Sequence, residues 1–105
     1  MTDTYGVLSQ TQLPNAAAAQ YTVPGATQAI VGSIILVNTD SAPRTVSLFI
    51  NGAAAANKIL DTVTIAANTR LELNAVMTLA ATNTIQGVAD VAAKVTMTVF
   101  GLLIT

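Results

Sequence analysis

Polar and apolar residues alternate along most of this chain with the two-residue period of β-strands. In Lys94-Val95-Thr96-Met97-Thr98-Val99-Phe100 the alternation puts Val95, Met97 and Val99 on one face. Arg44 to Ile50 repeats the pattern, with Val46, Leu48 and Ile50 facing in and Thr45 and Ser47 facing out. Thr62 to Ile65 and Arg70 to Asn74 do the same over shorter spans. Ala29 to Asn38 is more uniformly apolar, the pattern of a central strand covered on both faces. β-Branched Val, Ile and Thr dominate these segments, which suits a pleated, half-buried surface. No stripe of helical period runs over a useful length.

Turn residues fall between the runs. Pro24-Gly25 closes a short strand over Gln20 to Val23, and Asn38 to Pro43 is a polar cluster whose Asn and Asp can bond their own backbone. Asn51-Gly52 tolerates positive φ at both centres of a hairpin turn, while the alanines after it fit a longer loop. Ala66 to Thr69, Ala80 to Asn83 and Ala89 to Ala93 make further links. Gly32 and Gly101 interrupt strands and mark bulges or close backbone contact. The spacing predicts an all-β chain: an antiparallel β-sandwich or jelly-roll-like barrel of about seven or eight short strands with an extended N-terminal arm. The arm covers residues 1–19 and the sandwich domain 20–105. The tracts Ala16 to Ala19 and Ala53 to Ala56 are too short to nucleate a helix unaided and read as extended or loop structure. Tyr5, Val7, Leu8 and Leu13 would be uncovered apolar groups on a free tail, so the arm should lie on a neighbour or on its own domain.

Composition narrows the chemistry. Among 105 residues, 52% are hydrophobic and only 9% charged, against about 25% charged in an average soluble protein. Asn, Gln, Ser and Thr must therefore cover much of the surface, or another subunit must. Without cysteine there is no disulfide framework or thiolate site, and without histidine the commonest general base and metal ligand are missing. Four basic and five acidic residues leave no patch for a phosphate backbone, so no nucleic-acid partner is expected. The longest apolar runs, Ile34 to Val37 and Val99 to Ile104, are far short of the roughly 20 residues of a membrane-spanning helix, and no membrane partner is expected. Met1 to Tyr5 has neither a basic nor an apolar leader region, so use without Sec export is expected. The acids Asp3, Asp40, Asp61, Glu72 and Asp90 are scattered and read as solvated strand or turn residues rather than a carboxylate pair. Lys58 and Lys94 read as cross-strand pairing partners, and the six glycines form no phosphate loop. Neither an enzyme nor a cofactor nor a metal is expected.

Tyr21-Thr22-Val23-Pro24, the long strand Ala29 to Thr39 ending in Asn38-Thr39, and Thr45-Val46-Ser47-Leu48 leading into Asn51-Gly52 carry a resemblance. So do Ile65 to Leu73, Thr84 to Gly87 and Val95 to Gly101. Together they resemble small β-sandwich virion proteins of tailed bacteriophages, of the head decoration or cement type, over residues 21–104. The first turn departs from that family's Pro-Ala-Gly as Pro24-Gly25-Ala26, and Thr82-Asn83 stands where a Gly-Asp pair is common. The resemblance implies a capsid decoration protein that binds at capsomer junctions, with the major capsid protein as partner, a homotrimeric state, and a place on the virion surface after assembly in the host cytoplasm. The alternative it leaves is a tail, fibre or baseplate module contacting a receptor or another tail protein. Candidate interface residues are Tyr5, Val7, Leu8, Leu13 and Pro14 in the arm, Asp40 and Pro43 in one loop, and Asn51 and Gly52 in another.

Overall fold

The computed structural model describes residues 3–74 and 76–105; the first two residues of the expected arm lie outside the described residues. Nine strands form in chain order: β1 Asp3–Gln12, β2 Ala18–Thr22, β3 Gln28–Asn38, β4 Arg44–Ile50, β5 Lys58–Ile65, β6 Arg70–Leu73, β7 Met77–Leu79, β8 Thr84–Ala89 and β9 Val95–Ile104. They make two antiparallel sheets. One has the order β1-β9-β3-β6, with β7 also on β3, and the other the order β2-β8-β4-β5. β6 pairs Ile34 to Val37 of β3 and β7 pairs Ala29 to Val31, so the two continue one line along the same neighbour. Taken as one interrupted strand they leave two four-stranded layers, and apart from the β4–β5 hairpin and the β6–β7 step each connection crosses between layers. That is the winding of a jelly roll, the expected fold class with its strand order now resolved.

The core lies between the layers and follows the alternation in the sequence. Val95, Met97 and Val99 of β9 meet Val31, Ile34 and Leu36 of β3 on the inner side of one sheet, all fully buried. Val46, Leu48 and Ile85 answer from the other sheet. Ser47 and Phe49 point to the opposite side of β4 yet are also buried. β5 bulges at Asp61-Thr62, where the Thr62 N–H donates to Ser47 Oγ at 2.9 Å, and the Lys58 ammonium stands 5.9 Å from the centre of the Phe49 ring. Gly32 sits at a register shift between Val31 and Ser33. A Cβ on Gly101 would run into the Ile30 carbonyl oxygen and stand 3.0 Å from Leu8 Cδ1. A bulge and a close backbone approach are thus the reasons for these two glycines.

The structure decides several of these expectations and changes others. The segment read as an arm over 1–19 is, from Asp3 to Gln12, a ten-residue edge strand paired along β9, so it lies on its own domain. Leu13 then turns inward and is fully buried, while its N–H donates to the Val95 carbonyl at 2.8 Å. Residue 20 marks no structural break, because β2 starts at Ala18. Of the alanine tracts, Ala55–Asn57 forms a single 3-10 turn in the loop after Asn51-Gly52. That loop is seven residues long, so the two-residue hairpin does not form. β3 is central in its sheet, but only one of its faces is covered.

The loop after β3 is held by one buried amide. Asn38, fully buried at the end of its strand, donates through Nδ2 to the carbonyls of Ala42 at 2.9 Å and Ile65 at 3.0 Å. Its Oδ1 accepts the Asp40 N–H at 3.0 Å. A burial that would cost a few kcal/mol if unmatched is satisfied, and the loop is fixed to the turn that follows β5.

Candidate interaction surface

Because successive side chains alternate faces, the outer side of the β1-β9-β3-β6 sheet follows from its register. Asp3, Tyr5 and Val7 of β1 stand beside Ile104, Leu102 and Phe100 of β9, and Leu102 and Phe100 stand beside Ile30 and Ser33 of β3. Ile35 and Val37 continue the row toward Glu72 and Arg70 of β6. Tyr5 is 82% exposed and Val7 55%; Ile30, Ile35, Val37, Phe100 and Leu102 are half-buried. The centre of this face carries no charge. Arg70 and Glu72 pair with each other at 2.7 Å on one margin, and Asp3 stands at the opposite one. Between Tyr5 and Phe100 the face dips into a shallow, open, mostly apolar depression lined also by Gly6, Gly32 and Ser33.

The outer side of the second sheet is built differently. Thr45, Ser47 and Thr64 of β4 and β5, with Thr84 and Gln86 of β8, present hydroxyls and an amide. Phe49 and Val88 share that face with them, and on the first sheet Gln10, Gln12, Thr96 and Thr98 continue the outer face beyond the apolar cluster around Phe100. Phe100 with Ile30, Ile35, Val37 and Leu102 are the interface-type residues that sequence reading missed. Their signal was present in the unbroken apolar runs Ile34 to Val37 and Val99 to Ile104, which exceed what one buried face needs.

The predicted interface residues separate. Tyr5 and Val7 lie together on the apolar face. Leu8 falls at the bulge between Val7 and Ser9, and packs inward against the core. Leu13 belongs to the core and is not available to a partner, and Pro14 is half-buried with its carbonyl accepting the Ala89 N–H at 2.8 Å. Pro43 is exposed, whereas Asp40 is half-buried in an ion cluster. Asn51, at φ 61°, accepts the Thr84 N–H on its side-chain oxygen at 2.9 Å, and Gly52 has the Asn57 side chain against it. Asp40, Asn51 and Gly52 are thus engaged within their own loops, after β3 and β4, and not on the sheet face that carries Tyr5 and Val7.

Arg44, Lys58 and Arg70 are engaged in local pairs with Asp40, Asp90, Asp61 and Glu72. Arg44 reaches Asp40 at 2.7 Å and Asp90 at 3.3 Å. The Arg44 hydrogen bond, with help from the Ser41 N–H, holds the Asp40 carboxyl below the usual range. The Lys58 ammonium, 2.7 Å from Asp61, does the same there, seconded by the Thr62 hydroxyl. Asp61 and Glu72, the pair that a glycosidase would need close together, are bound to separate cations. Among the described residues no group of three acids, His or Cys is placed to hold a metal. Tyr21 sends its hydroxyl into the protein without a hydrogen-bond partner, and burial pushes its pKa up.

A jelly-roll sandwich with an apolar cluster around Phe100 on one outer sheet face is the class of protein that this geometry defines. No protein-family model matches the chain, and no curated protein matches it. Among solved structures, it is similar to a protein of the Bacillus endospore appendages, which form a family of disulfide-linked pili. The TM-score is 0.54 at 19% identity, over 99% of this chain and 87% of that one. It is also similar to a protein of the T13 particle of infectious bursal disease virus, at TM-score 0.53 and 7% identity, over 96% of this chain and 30% of the viral one. A protein of the Gx strain of that virus gives TM-score 0.53 and 8% identity, with coverages of 97% and 32%. This chain spans about a third of the viral chains. At these identities the likeness is one of fold.

Proposed function

We propose that this chain is a structural subunit of a virion, a decoration protein that adds to the capsid of a tailed phage. The observation that carries the reading is the apolar cluster around Phe100 on the uncovered face of the β1-β9-β3-β6 sheet. Such a surface does its work by contact, and many copies multiply a weak contact into a stable shell. The viral particle proteins of similar fold and the phage-like pattern of Tyr21 to Pro24 and Thr45 to Leu48 support the virion setting. The likeness to the pilus protein favours a second reading, a filament subunit. With no cysteine, such a filament would be held without disulfides.

The test is removal and return. Heads purified without the chain should lose resistance to heat or osmotic shock and recover it when the purified chain is added back. Heads that neither bind it nor change their resistance would overturn the decoration reading, and threads of the chain alone in electron micrographs would favour the filament.

A further inference from the structure

We infer that Asn51 is a self-modifying residue: attack by the Gly52 main-chain nitrogen on its side-chain amide converts it to aspartate or isoaspartate, at a rate set by its hydrogen bond to Thr84. The site lies in the loop after β4 and does not depend on the virion. Sequence supplies the first argument. An asparagine loses its amide when the next main-chain nitrogen reaches its Cγ, and a side chain on that next residue obstructs the approach. Gly52 has no side chain, whereas every other asparagine of the chain precedes a residue that carries one.

The fold adds access and holds the glycine in place. Asn51 is exposed directly after β4, and among the described residues no main-chain acceptor takes the Gly52 N–H. A Cβ at position 52 would stand 2.8 Å from Asn57 Oδ1. That side chain is tied into the loop, its Nδ2 donating to the Ile50 carbonyl at 2.8 Å and its Oδ1 accepting the Ala54 N–H at 3.3 Å. The loop therefore keeps its glycine, and with it the reactive pair. Asn51 has φ 61°, and the five-membered ring formed in the reaction leaves rotation about N–Cα free, so closure need not undo this backbone.

The chemistry needs only water. Hydroxide takes the proton of the Gly52 nitrogen, which bonds to Asn51 Cγ; the Cγ–Nδ2 bond breaks, and Nδ2 leaves as ammonia with a proton from water, which restores the hydroxide. Water then opens the ring at Cγ to give aspartate, or at the main-chain carbonyl carbon to give isoaspartate, whose chain runs through Cβ. Either product adds one negative charge and about 1 Da.

Thr84 sets the pace. The Asn51 N–H donates to the Thr84 carbonyl at 2.9 Å, and the Thr84 N–H donates to Asn51 Oδ1 at 2.9 Å. The second bond pins the side chain to the start of β8, and Cγ has to leave it to meet the Gly52 nitrogen. Losing one such bond corresponds to a factor of roughly 5 to 10 in rate. Aspartate keeps an acceptor for Thr84 and preserves the junction of β4 with β8, whereas isoaspartate lengthens the main chain there and loosens it.

Ageing the full chain in warm, mildly alkaline buffer, followed by digestion and mass spectrometry of the peptides, tests this. The gain of about 1 Da should come first in the peptide that contains Asn51. Thr84→Pro deletes the N–H at the first residue of β8, a strand position that accepts proline, and should speed conversion at Asn51 roughly 5- to 10-fold. If that variant fails to fold by circular dichroism, wild type unfolded in urea takes its place and should show at least the same acceleration. Asn51→Asp should keep the wild-type urea midpoint, and the aged isoaspartate fraction should fall below it. A wild type that converts first at another asparagine, or at none, overturns the site. Equal rates with and without the Thr84 N–H overturn its control, and a lowered midpoint in Asn51→Asp overturns the retained acceptor.

Discussion

Replacing Leu13 by alanine separates a strand-and-core N-terminus from a detachable arm. Leu13 is fully buried, and its Cδ2 rests 2.7 Å from where a Cβ on Gly87 would stand, with Leu48 Cδ2 at 3.1 Å from that point. Its side chain fills the space that the bare glycine leaves. Deleting three carbons forfeits roughly 2.4 kcal/mol at ~0.8 kcal/mol per buried CH₂. Gly87 has nothing with which to close the gap, so a void of roughly 50 Å³ adds about 1.2 kcal/mol at ~24 cal/mol per Å³. The sum of about 3–4 kcal/mol is a large part of the 5–15 kcal/mol that holds a domain of about this size. It corresponds to a fall of roughly 15–25 °C in Tm. Urea unfolding followed by far-UV circular dichroism measures it, with Val7→Ala as the contrast, expected within about 0.5 kcal/mol of wild type. A Leu13→Ala loss below about 1 kcal/mol would show that the segment does not close the core.

Asn38→Ala should cost about 3 kcal/mol, because it strands the Ala42 and Ile65 carbonyls and the Asp40 N–H at once; an unchanged urea midpoint would refute the loop-pinning role. Tyr21→Phe should leave stability unchanged or raise it by about 1 kcal/mol, since the buried hydroxyl lacks a partner, and a clear loss would show that the hydroxyl is bonded after all. Acid should weaken the fold through Asp40 and Asp61. Both carboxyls are held below their ordinary value by cations, so their contribution is complete above about pH 4 and is lost as pH falls through the lowered values. Unfolding midpoints should be level from neutral pH to about pH 5 and fall below about pH 4, less steeply in Asp40→Asn; equal slopes in the two proteins would contradict the assignment.

β4, β6, β9 and the second half of β5 were legible because a half-buried strand writes its burial as alternation, and Val95, Met97 and Val99 did so plainly; β3 showed as an apolar run, β2 as a short strand before Pro24-Gly25, and the three residues of β7 were too few to show a pattern. Pro24-Gly25 and Asn38 to Pro43 marked turns for equally local reasons. β1 was not legible: Tyr5, Gly6, Val7 and Leu8 carry a bulge, and an edge strand hydrogen-bonded on one side imposes little pattern of its own. Leu13 followed from that error, since its burial depends on β9 and Gly87, far away in sequence. The apolar outer face was half legible. The run Ala29 to Asn38 announced a strand needing cover on both sides, but only the register of β3 on β9 shows that Phe100, Leu102 and Ile35 share a face and that the monomer leaves it bare. Charge scarcity is met in the same register: Thr, Ser and Gln side chains supply the neutral polar part of both outer sheet faces.

Counting copies of the chain against the major capsid protein in purified phage particles tests the central claim most directly. A decoration subunit predicts hundreds of copies per head, in a fixed ratio to the shell. A handful of copies, confined to the tail, would contradict it.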